Sequence, residues 1–212
     1  MQPSPIADRV VAMNAATPAT LADALIPLPS LPSWLRHALL AGLGSLLLTL
    51  SAKTQIPFYP VPMTLQTCVV MLIGFAFGWR LGAATVLLYL AQGAAGLPVF
   101  AGTPEKGLGL AYMAGPTGGY LFGFVLAALI TGKTIHLTRH WLGLALGTGL
   151  ATLAIFVPGY LWLATLIGIE PAWVHGVAPF MLGALVKGAL AVAVTLAGAE
   201  WVTRRLQRTH NH

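Results

Sequence analysis

The chain has 212 residues, of which 57% are hydrophobic and only 8% charged, with a net charge of +6 and a mean hydropathy of +0.82. A soluble domain carries roughly 25% charged residues, so this composition excludes a water-covered globule. The positive balance does not signal nucleic acid, because the basic residues stand singly at the ends of apolar runs, with one small cluster at Arg204, Arg205 and Arg208.

Residues 1–33 contain six prolines and no apolar core of signal-peptide length. They are expected to form a cytoplasmic or interfacial tail. Beyond them lie runs free of Asp, Glu, Lys and Arg at 54–79, 81–104, 107–132, 140–169, 171–186 and 188–199. Most match or exceed the roughly 20 residues a helix needs to cross about 30 Å of hydrocarbon. The runs are continuous rather than alternating, which rules out a β-barrel. The fold class is therefore all-α, a polytopic membrane protein with six transmembrane helices in a compact bundle. The spans are placed near 34–52, 64–79, 80–96, 110–131, 141–167 and 174–200, giving a membrane domain over 34–205 and a short cytoplasmic tail over 206–212. Only Gly78-Trp79-Arg80 separates the second and third spans, so they form a tight hairpin. Small-residue spacings such as Gly143-x3-Gly147 favour close helix contact.

Lys and Arg set the orientation. Arg9, Arg36, Arg80, Lys133, Arg139, Arg204, Arg205 and Arg208 fall on one side, against Lys53 and Lys106 on the other. The excess predicts both termini in the cytoplasm of a cell-membrane protein. The segments 53–62, 97–109 and 168–173 are then external loops. The first, with Pro57, Pro60 and Pro62, reads as a stiff irregular crossing that either covers a pocket or simply connects two spans.

Lys187 is the sharpest single feature. It sits between two apolar runs, 171–186 and 188–199, that hold no acidic residue to pair with it. A lysine at a helix centre costs about 2.5–3.5 kcal/mol on insertion scales and usually faces a cavity or a partner. An unpaired cation suits an anionic ligand; the alternative is snorkelling to the nearby interface. Thr64, Gln66 and Thr67 open the second span. Helix capping accounts for Thr64, whereas Gln66 lies deeper and suits a ligand. Glu105 and Lys106 read as a neutral surface pair or as pocket groups. Phe58, Tyr59, Phe100, Tyr112 and Trp173 lie near the outer face, either as pocket walls or as an aromatic belt. In the first span, Ala38-x3-Gly42 and Ala41-x3-Ser45 offer close-contact seams, for packing inside the bundle or against another protein.

Catalytic signatures are missing. There is no HExxH, GxSxG or paired carboxylate, and the six histidines lack metal-ligand spacing. Ala127-x4-Gly132-Lys133-Thr134 fits a relaxed phosphate-loop pattern, but it falls at the end of an apolar helix rather than between strand and helix. The chain is expected to be neither an enzyme nor an ATPase, with no cofactor. The lone Cys68 is expected to be packing.

Taken together, IPFYPVPMTLQT at 56–67, GAAGLPVFAG at 93–102, AGPTGGYLFGF at 114–124 and GVAPFMLGALVK at 176–187 resemble the BioY family, the biotin-specific S components of energy-coupling-factor transporters. The likeness covers roughly 34–205. It implies capture of biotin from outside by a six-helix subunit. The partners it implies are a transmembrane coupling protein, ATPase subunits and the bilayer. Lys187 falls on the family's ligand-contacting lysine, while the aspartate common three residues earlier is Ala184 here; Glu105 could substitute for it. On this reading Lys187 meets the carboxylate, and Gln66, Tyr112, Thr64, Glu105, Phe100 and Trp173 complete the site. Pro57, Phe58 and Tyr59 form a lid. Ala38, Gly42, Ala41 and Ser45 meet the coupling protein. The same fold serving another small anionic vitamin is a rival, as is a solitary secondary carrier, although a carrier usually needs an intramembrane acid.

Overall fold

A computed structural model describes residues 31–210; nearly all of the 1–33 tail, and the last two residues of 206–212, lie outside them. The chain enters at helix α1 (Ser33–Lys53). The two-residue strands β1 (Gln55–Ile56) and β2 (Met63–Thr64) pair antiparallel. α2 (Gln66–Ala94), the short α3 (Gly109–Met113), α4 (Gly118–Leu137) and α5 (Trp141–Ile167) follow. α6 (Ile169–Gly176), a single 3-10 turn at Ala178–Phe180 and α7 (Met181–His210) complete the order. Five of these segments are long and apolar enough to cross a membrane. The protein is an all-α polytopic membrane protein.

α2 carries two of the expected spans. Its helical geometry breaks only at Gly78, with φ 73° and ψ 173°, a region open to glycine alone. The chain doubles back there. A Cβ on Gly82 would stand 3.2 Å from the Gly74 Cα, and the Gln66 side chain reaches Tyr89 at 2.7 Å. Residues that far apart in one straight helix never meet. The expected hairpin is therefore present, with its turn on Gly78 itself.

Other boundaries differ from expectation. The span expected at 110–131 is divided between α3 and α4, because Gly115-Pro116 interrupts the helix: Pro116 donates no backbone hydrogen bond and disfavours α geometry just before it. The segment 168–173, expected as a loop, is helical and belongs to α6, which starts after Gly168 at φ 94°. The span expected at 174–200 is broken at Val177–Phe180 and continues to His210. The 53–62 segment is not wholly irregular, since Gln55–Ile56 within it pair as β1 with β2 just beyond its end.

α4 is the spine of the bundle, packed between the α2 hairpin and α5, with α1 against α2 and α7 against both α2 and α5. Phe75, Tyr89, Leu48, Met71, Leu144, Ile155 and Leu163 form a dry core. Leucines of α1, α5 and α7 are exposed on the outside, as expected where lipid rather than water is the solvent. Gly132 and Lys133 of the phosphate-loop look-alike lie within the continuous helix α4, and Gly132 packs on the Trp79 backbone. No loop exists there to hold a phosphate.

By connectivity, one end of the bundle gathers the α1–α2 connection, the long 95–108 segment, α3, α6 and the 3-10 turn. The other end carries only the Gly78 turn and the short α4–α5 connection. The site lies at the elaborated end.

Candidate functional site

Beneath the β1–β2 hairpin is a slim, mostly apolar cavity. Tyr120, Leu121 and Phe124 of α4 and Ile155 and Phe156 of α5 form its base. Val61, Pro62 and Phe180 close it from above, and Ala101 and Tyr112 form one side. Its polar corner holds Thr64, Gln66, Thr67, Ala184 and Lys187. α2 and α7 meet here because the PVP segment turns the chain sharply into α2, while Pro179 restarts α7 opposite it.

Lys187 is partly buried and donates a 2.9 Å hydrogen bond to the Thr64 carbonyl of β2. The expectation of a cation with no protein partner therefore needs correcting: it has one neutral partner. An ammonium has three donors, and no described ion pair reaches it. The charge is uncompensated, and it faces the cavity. Lys187 also stands at the inner end of a groove on the outer side of the hairpin, bordered by Gln55, Met63, Gly183 and Val186. It lies on the partition between the two spaces.

The other expected ligand residues divide into two groups. Thr64, Gln66 and Tyr112 line the cavity. Gln66 is already engaged, donating to the Tyr89 hydroxyl at 2.7 Å and accepting from Thr64 at 3.3 Å. The Thr64 hydroxyl also accepts from the Gln66 backbone N–H at 3.3 Å, a local turn contact just before the N-cap, which is Leu65 and carries no side-chain cap. The Tyr112 hydroxyl donates to the Ala101 carbonyl at 2.8 Å. Phe100, Glu105 and Trp173 are not on the cavity wall. Phe100 is buried one layer behind, stacked on Tyr112 at 4.9 Å and edge-on to Tyr89 at 5.4 Å. Glu105 lies exposed on the 95–108 segment. Trp173 is 53% exposed and set edge-on to Tyr160, as suits an interfacial aromatic.

Of the expected lid residues, Pro57 and Tyr59 are exposed, while the Phe58 ring lies 5.9 Å from Phe180, a cavity wall. On α1, Ala38 and Gly42 face outward, Ala41 is half-buried and Ser45 is buried, donating to Gln92 of α2. Ser45 is thus turned into the bundle, and Ala38 and Gly42 make the outward seam. Sequence reasoning did not single out Tyr120, Phe124, Phe156 or Phe180 as cavity walls; the GPTGGYLFGF and VAPF segments that carry three of them gave the only signal. Thr67, which lines the cavity, has a buried hydroxyl with no hydrogen-bond partner.

A multi-pass bundle with a partly enclosed aromatic cavity and an uncompensated cation in its polar corner is the build of a membrane receptor for a small organic anion. The BioY family model matches residues 10–204, and the chain belongs to that family. A probable biotin transporter BioY of Pyrococcus horikoshii is 37% identical over 155 residues, covering 73% of this chain and 91% of the relative. The biotin transporter BioY of Thermotoga maritima is 36% identical over 164 residues, 76% of this chain and 95% of the relative. That of Rhodobacter capsulatus is 40% identical over 171 residues, 72% and 87% respectively. The crystal structure of the S-component for biotin from an ECF-type ABC transporter superimposes with a TM-score of 0.67 at 22% identity. The match covers 78% of this chain and 92% of that one, so the fold is shared.

Proposed function

We propose that this chain is the biotin-capturing subunit of an energy-coupling-factor transporter. It is a transport protein rather than an enzyme, binding the vitamin from outside for ATP-driven uptake by a separate module. The observation that carries the reading is the Lys187 ammonium, held in the cavity's polar corner by one neutral carbonyl in a chain whose curated relatives are biotin transporters. The biotin carboxylate would form a charge-assisted contact there. The fused rings would lie against Tyr120, Phe124 and Phe156, and the unpartnered Thr67 hydroxyl would take a ureido or sulfur-side contact. Phe58 and the prolines around it would form a lid that loses little entropy on closing because it is already stiff.

The membrane domain, taken as 34–205, would sit in the cell membrane with both termini cytoplasmic and the cavity outward. A coupling protein would meet α1 along Ala38 and Gly42, flanked by Ala41, with ATPase subunits beyond it.

The direct test is mass spectrometry of any ligand carried through purification, together with calorimetric titration of the stripped protein with biotin. Biotin recovered and rebound tightly is the expected outcome. A different small carboxylic acid recovered in its place, with biotin not binding, would mean that the fold serves another vitamin, a substitution that Ala184 leaves room for.

A further inference from the structure

The Lys53 ammonium at the last residue of α1 is clasped by a distant loop. It donates to the Phe100 carbonyl at 3.0 Å, the Thr103 carbonyl at 2.9 Å and the Thr103 hydroxyl at 3.0 Å. The Phe100 carbonyl and the Thr103 hydroxyl, themselves 2.7 Å apart, share one side of the ammonium, the Thr103 carbonyl gives it a further acceptor, and all three oxygens come from one short segment. The Thr103 hydroxyl is fixed further by donating to the Phe100 carbonyl at 2.7 Å.

That segment supplies part of the cavity wall. Val99, just before it, gives its carbonyl to the Tyr89 hydroxyl at 3.1 Å, and Ala101 gives its own to Tyr112 at 2.8 Å. The Phe100 ring is wedged against Gly93 between Tyr89 and Tyr112. Tyr89 in turn holds Gln66. One unbroken set of contacts runs from Lys53 through Phe100 and Thr103 to Ala101, Tyr112 and Gln66, all three on the cavity wall. The residues beyond Thr103 are exposed from Pro104 to Leu108. Gly102 and Gly107 adopt positive φ; apolar burial holds Val99, Phe100 and Ala101, and the Lys53 contacts tie the turn after them to α1.

We propose that Lys53 is a positioning residue for ligand binding, its ammonium setting the 99–103 segment so that Ala101, Tyr112 and Gln66 stand at fixed places in the wall. The proposal rests on the reading that the cavity holds biotin. Without the ammonium the Thr103 hydroxyl still donates to the Phe100 carbonyl, but the Thr103 carbonyl loses its donor and the segment loses its tie to the end of α1. The segment is then free to shift, and the wall shifts with it. Arginine does not replace the lysine, because its longer planar guanidinium does not fit the compact spot that lies within 3.0 Å of all three oxygens.

The test uses full-length purified protein as wild type, Lys53→Met, Lys53→Arg and Lys106→Met, the last removing an equal charge from the same loop. Lys53→Met is expected to weaken biotin binding by about tenfold or more, mainly through faster release. Lys106→Met should bind as wild type, and Lys53→Arg should resemble Lys53→Met. Tens of millimolar methylammonium should restore affinity to Lys53→Ala, whose shortened side chain leaves room for the amine, while tetramethylammonium should not. A purely structural lysine would lower the melting temperature and leave the folded protein's affinity intact. That result, or Lys53→Met binding within about twofold of wild type, overturns the proposal. Hydrogen exchange decides separately from biotin. If the wild type fails to bind biotin, the functional reading falls on its own. Exchange quickened over 97–113 in Lys53→Met would still support the clamp, and unchanged exchange there would overturn it.

Discussion

Two lysines share the elaborated end of the bundle and differ in how far their charge is satisfied. Lys53 has three oxygens within 3.0 Å; Lys187 has one carbonyl and faces the cavity. Desolvating a cation costs several kcal/mol unless partners compensate, so the second invites an anion and the first does not. Ala184, one turn before Lys187 on the same cavity wall, leaves that wall without an acceptor. Ala184→Asp would supply one for ligand N–H groups, and biotin affinity measured by calorimetry is expected to hold or tighten. Loss of binding would show that the polar corner is occupied differently. Lys187 is legible in sequence because a lysine inside an apolar run has few innocent explanations. Lys53 is not, since a basic residue at a helix end is common and only the folded chain brings residue 103 beside it. Phe100 and Trp173 were named as walls for their ring type and neighbourhood. Composition cannot say whether a ring faces the cavity, the layer behind it or lipid.

At the scale of elements, the α2 hairpin is the feature on which the site depends, because it brings Gln66 back beside Tyr89. It turns on Gly78, at φ 73° and ψ 173°. A side chain there is strained by about 1–3 kcal/mol. Gly78→Val is therefore expected to lower the melting temperature by several degrees, with weaker biotin binding following from misaligned arms. A variant as stable as wild type would mean that the turn tolerates a Cβ. The number of apolar segments and this hairpin were readable from charge spacing and one glycine. The breaks at 114–117 and 177–180 were not, because hydropathy averages across a four-residue interruption. The short β1–β2 pairing was hidden too, since two-residue strands carry no periodicity.

Across the whole molecule, loops and short helices crowd one end, and the basic residues favour the other. With the cavity outward, Tyr59 at 88% exposure belongs outside the cell and Lys133 inside. The natural Cys68 is buried and leaves the background quiet. Tyr59→Cys is expected to react with a membrane-impermeant maleimide on intact cells, and Lys133→Cys only after permeabilisation. The reverse pattern would invert the topology and with it the direction of capture.

The central claim is that the Lys187 ammonium grips a ligand carboxylate, and a cycle of four calorimetric titrations tests it most directly: wild type and Lys187→Ala, each with biotin and with its neutral carboxamide. The account predicts that Lys187→Ala weakens biotin at least about tenfold, that the carboxamide loses a similar factor on the wild type, and that the two losses do not add. If Lys187→Ala binds biotin as tightly as wild type, or the carboxamide is penalised equally with and without the lysine, then the ammonium does not hold the carboxylate.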